Sequence, residues 1–223
     1  FRALIGKAFP ETEYKLEPLH PAHPVWRIEI PVEPDQLRPL EGIEFGCRTS
    51  VIYAPPALDG ALRPSLSCTW EISRPPRGVT YAKSVQHRID GALAIGVNVL
   101  AYATNRELKY KYDSDVYVPN AGPDQIFSRG SIYLANLEHA GGCRAAPGAL
   151  ANLLRTAASE IDLPMAIEQR RVAPLDNDLA NYHLLYMHGR NSFRWLDTER
   201  EKMKTYVDRG GMLFVNAICA NRE

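Results

Sequence analysis

Three side chains capable of chemistry fall where strands should end. His139, His188 and Cys219 each follow or close an apolar run that reads as a buried strand. A thiol beside imidazoles can form a cysteine–histidine pair in which the ring takes the thiol proton, and the same trio could ligate a soft divalent metal. Their spacings are long and match no recognised metal pattern, so no metal site is expected. The competing reading is a small buried thiol and hydrogen-bonding histidines. Arg144 and Arg190 sit in loops at the same edge, where a guanidinium fork could hold a carboxylate or phosphate. Solvated surface arginines are the plainer alternative.

Two further motifs invite chemistry. His20-Pro21-Ala22-His23-Pro24 pairs two imidazoles, but its prolines forbid a helical clamp and favour a stiffened turn. In Cys68-Thr69-Trp70-Glu71 the acid could orient a histidine, while Trp70 reads as a core anchor. No G-x-G-x-x-G or P-loop occurs, and Gly141-Gly142 is too short a signal for a nucleotide. No cofactor is therefore expected.

The elements that would position these residues are clearest after Arg129. Strand Ser131–Glu138, helix Pro147–Ile161, strands Met165–Val172 and His183–Met187, helix Thr198–Arg209 and strand Met212–Ile218 follow in turn. Leu150, Leu153, Leu154, Ala157, Ala158 and Ile161 make one apolar stripe on the first helix. Thr198-Glu199-Arg200-Glu201 reads as a capping box on the second, and Gly210 or Gly211 as its stop. Strands alternating with helices predict a parallel sheet with right-handed crossovers. In such sheets ligands bind at the carboxyl ends of the strands, where His139 and His188 fall.

Before that point the pattern is less regular. Arg2–Phe9 is helical and ends at Pro10, and six prolines from Pro18 to Pro39 exclude a long helix. Val25–Ile30, Arg48–Ala54 and Ser67–Ile72 read as strands, and Ala82–Thr104 as one long helix. Lys111–Arg129, polar and broken by Pro119, Gly122 and Pro123, reads as a linker.

Composition narrows the function classes. Lys plus Arg and Asp plus Glu are both 26, so no net field would attract nucleic acid or an anionic membrane. No apolar run approaches the roughly 20 residues of a membrane span. Four cysteines, at 47, 68, 143 and 219, with no C-x-x-C spacing, suggest neither a disulfide framework nor a zinc knuckle. The chain opens at Phe1 in a helix and closes at Glu223 just past a strand, which reads as a piece cut from a longer protein and leaves its compartment open.

The run Tyr182-His183-Leu184-Leu185-Tyr186-Met187-His188-Gly189-Arg190, followed by Arg209-Gly210-Gly211-Met212-Leu213-Phe214, resembles a bacterial family catalogued as domain of unknown function 4159. That family is similar to class I glutamine amidotransferases and trehalose-utilisation-type domains. The resemblance implies a flavodoxin-like three-layer α/β sandwich with a parallel sheet, in which Ser131–Glu138 lies between Met165–Val172 and His183–Met187. Arg129 to His139 resembles the opening of such a domain. Ala8-Phe9-Pro10-Glu11, Ser67-Cys68-Thr69-Trp70-Glu71 and Gly96-Val97-Asn98-Val99 resemble its closing portion. The implied organisation is residues 1–112 as the end of one copy, 113–129 as a linker and 130–223 as the start of a second, with a permuted single domain as the alternative. If the halves pack together, Val25–Ile30 or Arg48–Ala54 should extend the sheet beside Met212–Ile218.

The resemblance also gives Cys219 a role. In the amidotransferase relatives a nucleophilic cysteine sits on a tight turn after the strand matching Met212–Ile218, with helix amides aimed at the oxyanion. Such an elbow has glycine two residues before and after the nucleophile, where this chain has Ala217 and Asn221. An acid expected at Asn216 and a glycine expected at Ala220 are also replaced. The expectation is thus a non-catalytic binding module within a larger multidomain protein, holding a small molecule or protein through His139, His188, Arg190 and Asn216. The alternative is a cysteine-dependent hydrolase or amidotransferase using Cys219.

Overall fold

The computed structural model describes residues 1–10, 14–46, 48–56, 64–104, 132–160 and 170–218. The expected linker Lys111–Arg129 and Cys219 lie outside the described residues. One seven-stranded sheet organises the molecule: β1 (Glu17–Pro18), β2 (Glu41–Phe45), β3 (Arg48–Ala54), β4 (Leu134–Leu137), β5 (Arg170–Val172), β6 (Leu184–Gly189) and β7 (Met212–Ala217), in spatial order β1-β2-β3-β7-β6-β4-β5. β4 pairs in parallel with β5 and with β6, and β6 with β7. The strand opening the second half therefore lies between the next two, in the order the resemblance implies. β3 pairs in parallel with β7, Val51 opposite Leu213 and Ala54 opposite Asn216, so front and rear portions share one sheet. β2 and β1 extend it antiparallel.

Both faces of the central strands are buried, so these strands read as continuous apolar runs. Alternate residues feed opposite cores. Ile52, Leu134, Tyr186 and Phe214 meet Trp70, Ile95 and Leu153 from α2 (Leu66–Glu71), α3 (Lys83–Ala103) and α4 (Ala149–Glu160). Val51, Ala135, Leu185 and Val215 meet Leu4 and Ile5 from α1 (Arg2–Ala8) and Met203 and Tyr206 from α5 (Asp197–Asp208). Trp70 is fully buried, as a core anchor should be, and its indole N–H donates to the Ala92 carbonyl.

Two expected strands take other forms. Val25–Ile30 is a 3-10 turn over Pro24–Trp26 followed by bends. Pro24 suits the first turn, and His23 caps it by accepting the Val25 N–H. The Glu29 and Ile30 amides, free to join a ladder by sequence, instead donate to Asn98 Oδ1 of α3, whose Nδ2 donates back to the Ile30 carbonyl. Ser67–Ile72 is likewise a helix rather than a strand. Ser65 caps it, its hydroxyl accepting the Cys68 N–H, and Thr69 Oγ1 donates to the Ser65 carbonyl. The alternation of Leu66, Cys68 and Trp70 with Ser67 and Thr69 imitates a strand, but a cap outweighs period two over so short a run.

Smaller shifts concern element ends. The long helix expected from Ala82 runs unbroken to Ala103. β6 continues through His188 and Gly189 rather than ending at Met187. α5 starts at Asp197, and Glu199, not Glu201, reaches back to accept the Leu196 N–H at 2.7 Å. Leu196 has no hydroxyl, so only the carboxylate half of the predicted box forms, two residues earlier than expected. Gly210, at φ +92°, ends the helix in the left-handed region that glycine tolerates.

Candidate functional site at the carboxyl edge of the sheet

The chain leaves β4 for β5 on one side and returns to β6 on the other, so the loops after β4 and β6 flank the point where strand order reverses. Open α/β sheets place ligands in that crevice. Here the two loops are laced together. The Gly141 carbonyl accepts the consecutive Arg190 and Asn191 N–H groups, both at 3.1 Å. A side chain at Gly189 would put its Cβ 2.3 Å from that carbonyl, so the approach requires glycine.

His139 belongs to this lacing. Its Nδ1 accepts the Gly141 N–H at 3.0 Å, which leaves the proton on Nε2 to donate to the His188 carbonyl at 3.0 Å. Phe193 stacks on the ring at 4.3 Å. Burial holds its pKa at about 4, against the His188 hydrogen bond, which favours the charged ring. His188 is 3% exposed and also titrates at about 4, through burial and then the nearby His139. Its Nε2 accepts the Ala146 N–H at 3.3 Å, and Tyr186 stacks beside it. Both rings are neutral at pH 7.

Asn216, opposite His188 in β7 and Ala54 in β3, is wholly engaged. Its Oδ1 accepts the Ser67 N–H at 2.9 Å and the Ser67 hydroxyl, and its Nδ2 donates to the Ala54 carbonyl at 3.3 Å. The Tyr186 hydroxyl completes the chain against Ser67 Oγ, and burial pushes that phenol well above its ordinary range. His188 and Asn216 thus serve the starts of two segments that return over the same face: the turn into α4 and the first turn of α2. Glu71, a possible partner for a histidine by sequence, instead accepts the Gly148 N–H at 2.6 Å ahead of α4. In return Asn152 of α4 donates to the Trp70 and Glu71 carbonyls.

The remaining candidates are dispersed. Arg144 and Arg190 are exposed at the same edge, and only the backbone N–H of Arg190 joins these networks. His20 Nδ1 accepts the Ala22 N–H, and His23 Nε2 lies 3.0 Å from Thr49 Oγ1, so that pair stiffens a turn. Among the described residues no group of three His, Cys, Asp or Glu side chains could hold a metal ion. No helix among them is long and apolar enough to cross a membrane.

Sequence reasoning missed an open cleft of about 440 Å³ beside this edge. It lies between α1 and the segment Ser192–Trp195, with Lys7, Arg194 and Arg200 among its lining. Nothing local announces it, because α1 reaches the loop only in the fold, through its packing on α5 and the edge-on contact of Phe1 with Phe193.

No curated protein and no solved structure matches the chain. Residues 133–223, which carry β4 to β7 and both loops described above, match the model of a family described as a domain of unknown function, DUF4159.

Proposed function

We propose that the chain is a non-catalytic binding module of amidotransferase-like, flavodoxin-like fold, presenting its site on the loops after β4 and β6. In this reading residues 1–112 are the closing portion of one domain and 130–223 the opening portion of a second, joined through 113–129. The shared sheet favours the permuted alternative to that division, in which the front portion completes the sheet of the rear portion as one domain. Counted from β4, with β3 following β7, the parallel strands stand in the order 2-1-3-4-5 that flavodoxin-like sheets use. The helices after the first and fifth of these strands cover one face, and α5 with α1 the other, as double winding requires.

The observation that carries the binding reading is the state of the two imidazoles. A general base must reach its proton donor with a free lone pair and a pKa near the working pH. The acceptor nitrogens of His139 and His188 are both spent on backbone amides, and both rings titrate near 4. Groups so held build a rigid recognition edge rather than a proton relay.

The test is alkylation of Cys219 at neutral pH, with generic ester and amide substrates offered to the wild type and to Cys219→Ser. Slow labelling and equal, background turnover are expected. Fast labelling with turnover lost in the variant would replace the binding module with a cysteine hydrolase.

A further inference from the structure

We propose that the cleft between α1 and the β6–α5 loop binds a small organic anion, a carboxylate or phosphate carried on a ring, with Lys7 and Arg194 holding the charge and Phe193 and Trp195 lining the ring's place. This rests on the binding-module reading and names the ligand class for its loops.

The charge balance of the cleft is one-sided. Lys7 and Arg194 are exposed on opposite walls, and neither makes an ion pair or hydrogen bond among the described residues. Arg200, the third cation, is fixed: Asp197 pairs with one end of its guanidinium, and the other donates to the Trp195 carbonyl. Among the described residues no carboxylate lines the cleft. Asp197 is spent on Arg200 and Glu199 on the Leu196 amide, so the first turn of α5 leaves Lys7 and Arg194 unneutralised. A guanidinium presents a fork that fits carboxylate or phosphate, and an ammonium adds a second point charge.

The apolar wall is equally specific. Phe193 is fixed on one face by His139 and packs edge-on to Trp195, with ring centroids 6.2 Å apart. Trp195 is 4% exposed, and its indole N–H is buried without a hydrogen-bond partner. A cleft of about 440 Å³ suits a single substituted ring. The same loop carries the lacing at Gly141, so the site sits on a braced segment and needs little ordering on binding.

The probes are phenyl phosphate, benzoate, inorganic phosphate and neutral benzamide, titrated into the 223-residue chain and followed by calorimetry and amide chemical shifts. Phenyl phosphate or benzoate should bind, whichever binds more tightly identifying the acid, and shift the amides of residues 192–195. The double variant K7Q/R194Q should weaken that binding by about tenfold or more, since two charge-assisted contacts are lost. Its unaltered circular dichroism would show that the fold is intact. Equal binding of benzamide would overturn the anion assignment, and inorganic phosphate as tight as phenyl phosphate would overturn the ring's place. No binding of any probe at millimolar concentration, or binding indifferent to K7Q/R194Q, would overturn the site itself. The broader reading is judged separately: a neutral ligand shifting only residues 139–142 and 189–191 would preserve the binding module while removing this cleft from it.

Discussion

The two sides of the sheet use their polar residues in opposite ways at the carboxyl edge. On the side of α2, α3 and α4, His188, Asn216, Tyr186 and Ser67 are buried, and their hydrogen-bonding groups are directed at one another or at the chain returning to a helix. On the side of α1 and α5, Lys7 and Arg194 are exposed and without partners among the described residues. Burying a polar group without a partner is costly, and these four side chains are satisfied by the fold before a ligand arrives. An exposed charge faces no such demand. Residue types that suggest catalysis can therefore serve the scaffold, while plain surface cations retain the capacity to bind.

The sharpest way to break this comparison is Asn216→Ala. The substitution orphans the Ser67 N–H, the Ser67 hydroxyl and the Ala54 carbonyl together. Each unsatisfied buried group costs about 1–3 kcal/mol, so a loss of about 3–5 kcal/mol is expected in urea unfolding. A loss below about 1 kcal/mol would mean that Asn216 is not holding the scaffold.

Next in size is the response to acid. His139 and His188 titrate near 4 in the folded protein, against about 6.5 in the unfolded chain. Between those values the unfolded state binds more protons. Stability is thus fully present above pH 6.5 and falls as pH drops toward 4. By pH 5 the expected loss is about 2 kcal/mol for each ring, with a slope approaching two protons. A flat profile between pH 7 and 5 would show that neither imidazole is held neutral by the fold.

Gly189→Ala probes the lacing between the loops. Its Cβ would collide with the Gly141 carbonyl, so the Arg190 and Asn191 amides must move away from that acceptor. A cost of about 1–3 kcal/mol is expected, with faster hydrogen exchange at those two amides. Unchanged exchange would mean that the loops stay in register without glycine.

How much of this could be read from the chain follows from how local each determinant is. Rear-half strands such as Leu184–Gly189 and Met212–Ala217 are apolar over their first four residues and separated by an amphipathic helix, so period and punctuation suffice. Val25–Ile30 departs from the strand its pattern suggests because the Glu29 and Ile30 amides are satisfied by Asn98, far along the chain. Ser67–Ile72 is helical although its pattern suggests a strand, because six residues cannot separate the two periods. At the edge, His139 and His188 were placed correctly by strand ends, but their tautomers depend on Gly141 and Ala146, which only the fold brings near. The α1 cleft had no local trace at all.

The smallest expected effect is also the one that separates the two sides most cleanly. Lys7 and Arg194 contribute no ion pair or hydrogen bond to the scaffold among the described residues, and their side chains stand in solvent. Replacing both by glutamine keeps length and polarity while removing charge. Surface changes of this kind fall within about 0.5 kcal/mol, so the urea midpoint of K7Q/R194Q should coincide with that of the wild type. A loss above about 1 kcal/mol would place these cations among the residues that hold the fold. The distinction between a satisfied side of the sheet and an available one would then fail where it is easiest to measure.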